Sequence, residues 1–134
     1  MARVVVVEDN AGLLALFTHV LARGGHVVTP CRGAAQALEQ IRVLEQTQNA
    51  VPDLVITDVD MPPGMTGLDL VKELKARPAT TNVPIMMITG SVSTVSADER
   101  SGLAGYIAKP VLPADLARHV HDILANGSCT GRSG

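Results

Sequence analysis

The chain has 134 residues, 46% of them hydrophobic, which favours one folded domain with a single core over two domains or a disordered segment. The formal net charge is -2 and no basic stripe is present, which argues against direct binding of nucleic acid. No apolar run has the length of a signal peptide or a membrane span, and the two cysteines form no CxxC pair or disulfide framework, so we expect a soluble cytoplasmic protein.

Apolar runs of strand length alternate with segments of helical period, which predicts βαβ units around a parallel sheet. The first predicted strand is Val4–Val7 and the second is His26–Thr29. The helix between them ends at Gly24-Gly25. Its apolar residues recur at helical spacing on one face: Leu13, Leu16, Phe17, Val20 and Leu21. A second helix has the same kind of spacing: Ala34, Ala37, Leu38, Ile41 and Leu44.

The third predicted strand is Leu54–Thr57, which ends on Asp58. A Pro/Gly-rich loop then leads to a helix around Leu68–Ala76, and the fourth strand is Pro84–Thr89. The parallel arrangement continues through this part of the chain.

The stretch Ser91–Gly102 should supply another helix, but it is rich in Ser, Thr, Ala and charge, so we expect that helix to be short or mobile. The fifth strand is Tyr106–Ala108, and the last helix starts near Pro113. We assign residues 1–125 to one domain and residues 126–134, which are Gly/Ser-rich, to a flexible tail or linker.

Polar side chains stand where the predicted strands end. The first strand ends in Glu8-Asp9, the third in Asp58, the fourth in Thr89 and the fifth in Lys109. Ligands of open parallel sheets bind beyond the carboxyl ends of the strands, so these residues should meet at one edge. Three neighbouring carboxylates repel one another unless a hard cation such as Mg²⁺ binds them. With an ammonium and a hydroxyl beside it, a carboxylate nucleophile suits phosphoryl transfer to Asp.

Each of these motifs has a simpler interpretation when it is taken alone. Glu8-Asp9 could be a solvated strand end or a helix N-cap, and Asp58 could also be a cap. Thr89 could satisfy a strand end, and Lys109-Pro110 could be a plain loop. Their combination in one chain favours the functional interpretation.

Four motifs in this order resemble the receiver domains of bacterial two-component response regulators: Val7–Asn10, Asp58–Pro62, Thr89-Gly90 and Tyr106–Pro110. The resemblance covers residues 3–125. It implies a flavodoxin-like, doubly wound (βα)5 fold with a five-stranded parallel sheet in the order 2-1-3-4-5.

The resemblance also implies site residues. Asp58 would be the phosphoacceptor, and a Mg²⁺ ion would be bound by Asp9, by Asp58, by Glu8 through water and by the backbone carbonyl of Asp60.

Further residues would respond to the phosphoryl group. Thr89 and Lys109 would bind its oxygens, and Tyr106 would be the switch residue that turns inward as the Thr89 hydroxyl moves. The bond between Lys109 and Pro110 would be cis. As an alternative, Tyr106 could be an ordinary half-buried aromatic residue.

The implied function is a phosphorylation-dependent switch. The donor would be a sensor histidine kinase or a histidine phosphotransfer protein, and the output would be a downstream protein or an output domain, with no membrane contact. A homodimer through the faces of the last two predicted helices is a further implication. The domain would not be an enzyme beyond catalysing its own phosphorylation and dephosphorylation.

A haloacid-dehalogenase-like phosphohydrolase that uses Asp58 and Asp60 is the alternative function, since that class also combines an Asp nucleophile with Thr, Lys and magnesium. Order argues against it, because Glu8 and Asp9 precede the nucleophile strand here.

Three departures from the family pattern bear on function. The loop Met61–Gly67 is one residue longer than usual, and the stretch from Thr89 to Lys109 is slightly shorter. Gly90 leaves one side of the phosphoryl site open, so we expect easy access for water and for small phosphodonors.

Overall fold

The computed structural model describes residues 2–59, 66–90 and 102–126. Five strands form one sheet in the order β2-β1-β3-β4-β5, and every neighbouring pair is parallel. The predicted flavodoxin-like order 2-1-3-4-5 is therefore confirmed. The strands are β1 (Arg3–Val7), β2 (Val27–Cys31), β3 (Leu54–Asp58), β4 (Ile85–Thr89) and β5 (Gly105–Ala108).

Helices connect the strands and cover both faces of the sheet. Within the described ranges they are α1 (Ala11–Arg23), α2 (Ala34–Gln48), α3 (Gly67–Ala76) and α4 (Pro113–Asn126). The helix predicted for Ser91–Gly102 and nearly all of the predicted tail lie outside the described residues. No helix in the described ranges has the length and apolar character needed to cross a bilayer.

The core has two layers, one on each side of the sheet, because successive residues of a strand point to opposite faces. Val5 and Val7 face a cluster that includes the inner sides of α2 and α3. Val4 and Val6 face a cluster that includes the inner sides of α1 and α4. All residues of β3 and β4 are buried, as expected for central strands of a parallel sheet. Polar residues therefore occur at the carboxyl ends of these strands, along one edge of the sheet.

The inner face of α1 differs from the predicted one. Leu14, Phe17 and Leu21 are buried, whereas Leu16 is 36% exposed. Residues two positions apart lie on nearly opposite sides of a helix, so burial of Leu14 turns Leu16 outward. The apolar residues of α1 cover a wider part of the helix surface than the face that packs against the sheet.

Strand β2 begins one residue later than predicted and continues to Cys31. His26 belongs instead to the turn after α1, where its backbone N donates to the carbonyl O of Leu21 at 3.2 Å. The longer strand carries the chain to the same sheet edge as Glu8, whose backbone N donates to Cys31 O at 3.0 Å.

Candidate functional site

The predicted strand-end residues lie along one edge of the sheet. Asp58 is the last residue of β3 and Thr89 the last of β4, while Lys109 directly follows β5. Asp58 pairs in register with Ile88, which places it beside the end of β4. The backbone N of Lys109 donates to the carbonyl O of Thr89 at 2.7 Å, so the last two strands end together.

Lys109 joins two buried carboxylates. Its Nζ lies 2.7 Å from Oδ2 of Asp58 and 3.2 Å from Oε1 of Glu8. Glu8 is 1% exposed and Asp58 5% exposed, so bulk water screens neither well. The ammonium therefore stabilises two charges that would otherwise repel each other at close range.

The protonation behaviour of Glu8 and Lys109 follows from this geometry. Burial raises the pKa of Glu8, and the charge of Asp58 raises it further, against lowering contributions from the Asn10 backbone N–H and from Lys109. Burial lowers the pKa of Lys109, but Asp58 and Glu8 together outweigh it and leave that pKa raised. The ammonium thus stays charged, while Glu8 lacks full compensation.

Ligand atoms for a cation are already gathered. One carboxylate oxygen each from Glu8, Asp9 and Asp58 lies within 4.8 Å of the others. Glu8 Oε2 accepts the Asn10 backbone N–H at 3.0 Å, and the buried Oε1 has Lys109 Nζ at 3.2 Å as its counter-charge. The three carboxylates carry more negative charge than Lys109 balances, and such oxygen donors suit Mg²⁺, which prefers carboxylates and retains waters that a phosphate can replace. Asp60, the fourth predicted ligand, lies outside the described residues.

The predicted phosphoryl-binding and switch residues lie on the two neighbouring strands. Thr89 is fully buried at the end of β4. Tyr106, in β5, is half-buried and packs against the core cluster on the α2–α3 side. The peptide bond between Lys109 and Pro110 is cis. Thr89 and Lys109 therefore meet at the strand ends, while Tyr106 pairs in register with Met87, two positions before Thr89.

Gly67 supports Asp58, although the sequence did not single it out. It is the first residue of α3, where Thr66 and Asp69 form a capping box. A Cβ at Gly67 would collide with the carbonyl O of Asp58 and would lie 2.9 Å from its carbonyl carbon. Only glycine lets α3 begin this close to the strand end. A glycine at a helix start after an acidic strand end is a signal that could have found it.

Arg32 is the second contributor that sequence reasoning missed. It follows β2 directly, and its Nε donates to the backbone carbonyl O of Asp9 at 3.2 Å. A single charged residue after a strand reads as a solvated loop, so its place beside the acidic cluster emerges only once β2 pairs with β1.

Comparisons with known proteins identify the family to which the chain belongs. The response regulator receiver domain family matches residues 4–121. The DNA-binding response regulator MtrA of Mycolicibacterium paratuberculosis is 37% identical over 120 residues, which cover 88% of this chain and 49% of MtrA. The chain thus spans about half the length of that relative.

Two further relatives match over nearly their whole length. A chemotaxis protein CheY homolog of Campylobacter jejuni is 32% identical over 131 residues, or 96% of this chain and 97% of that protein. The crystal structure of a putative response regulator from Chloroflexus aurantiacus superposes with a TM-score of 0.79 at 32% identity, covering 92% of this chain and 98% of the other.

These comparisons do not support the haloacid-dehalogenase alternative, because the matched family and relatives are receiver domains and response regulators. The order of the strands along the chain agrees with this, because β1, which leads to the acidic pair, precedes β3, which carries Asp58. The chain belongs to the response regulator receiver domain family.

Proposed function

We propose that Asp58 is the phosphoacceptor, and that a sensor histidine kinase or a histidine phosphotransfer protein is its donor. The observation that carries this proposal is the 2.7 Å contact between Asp58 Oδ2 and Lys109 Nζ at the carboxyl edge of the sheet. A carboxylate held there beside an ammonium and two further acidic side chains has what phosphoryl transfer to Asp requires.

Glu8, Asp9 and Asp58 would hold a Mg²⁺ ion, and the backbone carbonyl of Asp60, which lies outside the described residues, is the further ligand that the family resemblance implies. Support comes from the three carboxylate oxygens, which lie within 4.8 Å of one another, and from the burial of Glu8 and Asp58, which makes their mutual repulsion costly without a cation. When bound, Mg²⁺ neutralises the carboxylates and binds oxygens of the incoming phosphoryl group. Glu8 acts mainly through metal-bound water.

Transfer forms a bond between a carboxylate oxygen of Asp58 and phosphorus, while the bond from phosphorus to the donor's histidine nitrogen breaks. Lys109 then pairs with a phosphoryl oxygen in place of its present contact with Asp58 Oδ2. The Thr89 hydroxyl donates to another oxygen. The domain itself catalyses this step and the later hydrolysis of its acyl phosphate.

The conformational response begins where Thr89 and Lys109 meet the phosphoryl group. As the Thr89 hydroxyl moves, Tyr106 turns inward and shifts the population between two conformations. Tyr106 is half-buried and on the strand that leads to Lys109, which suits that role.

Residues 1–125 form the receiver domain, and residues 126–134 follow it as a tail or linker. The output is a downstream protein or an output domain. The receiver domain acts as a homodimer or as a monomer. The net charge of -2 suits a domain that itself binds neither nucleic acid nor membrane. A cytoplasmic location suits the free, buried thiol of Cys31 and an ATP-dependent kinase as donor.

The test is uptake of a phosphoryl group from acetyl phosphate, followed by intact mass with Mg²⁺ and with excess EDTA. We expect uptake only with Mg²⁺. Asp9→Asn should require much more Mg²⁺ for the same rate. Uptake that is equally fast in EDTA would contradict the metal-dependent step.

A further inference from the structure

Arg32 is anchored at the rim of the acidic site. Its Nε donates to Asp9 O at 3.2 Å, and its backbone N donates to Oε1 of Gln36 at 2.8 Å. The side chain is exposed, and its two terminal amino groups have no hydrogen-bond partner in the parts of the chain described above. One edge of the guanidinium is therefore fixed against Asp9 while the rest remains available to a ligand.

The charge balance of the site gives this cation a specific consequence. Glu8, Asp9 and Asp58 outweigh Lys109 by two negative charges, which a bound divalent cation would cancel. Without Arg32, the loaded site would therefore be neutral toward an incoming phosphate.

A guanidinium is suited to phosphate recognition because its donors form a planar fork that matches phosphate oxygens. Here Nε is occupied by Asp9 O, which leaves the terminal amino groups for an oxygen of a ligand that approaches from solvent. Lys109 is paired with Asp58 and Glu8, so before transfer it is less available for this first contact.

We propose that Arg32 is a specificity-determining residue that attracts and orients the anionic phosphoryl group of the donor at the mouth of the site. This rests on the proposed function, because the phosphoryl group is the one that Asp58 accepts. The chemical class recognised is a singly substituted phosphoryl dianion, as in an acyl phosphate. The phosphorylation rate with a less negatively charged donor should depend less on Arg32.

The test compares Arg32→Gln and Arg32→Lys with a matched control, Arg23→Gln. Arg23 is exposed in the last turn of α1, and removing it makes the same change in net charge. Initial rates of phosphorylation are measured by intact mass with acetyl phosphate, a dianion at neutral pH, and with phosphoramidate, a monoanion. The dissociation constant for Mg²⁺ is measured separately by calorimetry.

We expect Arg32→Gln to lower the rate per molar acetyl phosphate by roughly threefold to tenfold at low salt, and less for phosphoramidate. Arg32→Lys should retain most of the rate, high salt should shrink the effect, and Arg23→Gln should match the unmodified protein. Mg²⁺ should bind Arg32→Gln at least as tightly as the unmodified protein, since a nearby positive charge is gone.

Two patterns of lost activity would overturn the proposal. One is equal loss with both donors, and the other is Mg²⁺ affinity that falls in step with the rate, which would show that Arg32 merely holds the loop at Asp9. If the unmodified protein took up no phosphoryl group on Asp58, the proposed function would fail instead. If the unmodified protein took up the phosphoryl group normally and Arg32→Gln had the same rate as Arg23→Gln, the role of Arg32 would be rejected while the proposed function would stand.

Discussion

The Nζ atom of Lys109 lies 2.7 Å from Oδ2 of Asp58, across 51 residues of sequence. It also lies 3.2 Å from Oε1 of Glu8, so one ammonium serves two buried carboxylates. In the absence of metal, Lys109 balances the negative charge of these two carboxylates. Its contribution to the stability of the fold can therefore be measured by replacing it.

We expect Lys109→Gln to lower the free energy of unfolding of the metal-free protein by roughly 1–3 kcal/mol, because two buried carboxylates lose their counter-charge. Saturating Mg²⁺ should restore most of that loss. Urea denaturation with EDTA and with Mg²⁺ measures both effects. Lys72→Gln, an exposed site on α3, is the matched control. A metal-free Lys109→Gln as stable as Lys72→Gln would contradict the proposed electrostatics.

Gly67 is expected to be intolerant of a side chain. Gly67→Ala should destabilise the fold by about 1–3 kcal/mol and slow phosphorylation, because its Cβ would displace the carbonyl of Asp58. Gly33→Ala is the control, since a Cβ there would meet no atom of the described residues within 4 Å. Thermal unfolding and phosphorylation rates of the two variants give the comparison. Equal behaviour would show that the close approach of α3 to Asp58 is unimportant.

The side chain at position 90 is expected to set the lifetime of the acyl phosphate. Gly90 follows Thr89, and a Cβ there would meet no atom of the described residues within 4 Å, so the described part of the chain leaves room for a side chain. Gly90→Leu should slow hydrolysis by roughly twofold to tenfold by excluding water, with Gly90→Ala between it and the native residue. The decay of the phosphorylated mass after donor removal reports this. A long lifetime unmoved by either substitution would refute the idea.

Cys31 gives a pH dependence that is separate from the site chemistry. Burial raises the pKa of its thiol from 9.0 to about 11, so the unfolded chain loses this proton at lower pH than the folded one. Stability from this group is therefore present below pH 9 and lost as pH rises toward 11, by roughly 2 kcal/mol.

The check is denaturation at a series of pH values for a Cys129→Ser protein with and without Cys31→Ala. Cys129 lies outside the described residues and is replaced so that one thiol remains. We expect the alanine variant to lose stability more gradually above pH 9. Parallel curves would mean that the buried thiol titrates normally.

Much of the site could be predicted from sequence because it depends on local rules. Each of Glu8, Asp58 and Thr89 ends an apolar run, and parallel strands bring their carboxyl ends to one edge. The order of the strands could not be predicted in this way, because periodicity indicates a parallel sheet but not which strands are neighbours. That order came from the resemblance, and the sheet confirms it.

What the sequence missed depends on how elements dock. Gly67 matters because α3 starts against the carbonyl of Asp58, and Arg32 matters because β2 ends beside Asp9. Leu16 was placed on the inner face because its spacing is helical, yet the rotation of α1 on the sheet turns it outward. None of these three can be read from spacing, because each depends on contacts between elements distant in sequence.

The most direct test of the central claim is the site of phosphorylation. The protein and its Asp58→Asn variant are incubated with acetyl phosphate and Mg²⁺ and compared by intact mass. We expect the unmodified protein to gain one phosphoryl group and Asp58→Asn, which keeps the shape but not the nucleophilic carboxylate, to gain none. Equal uptake by Asp58→Asn would contradict the assignment of Asp58 as the phosphoacceptor.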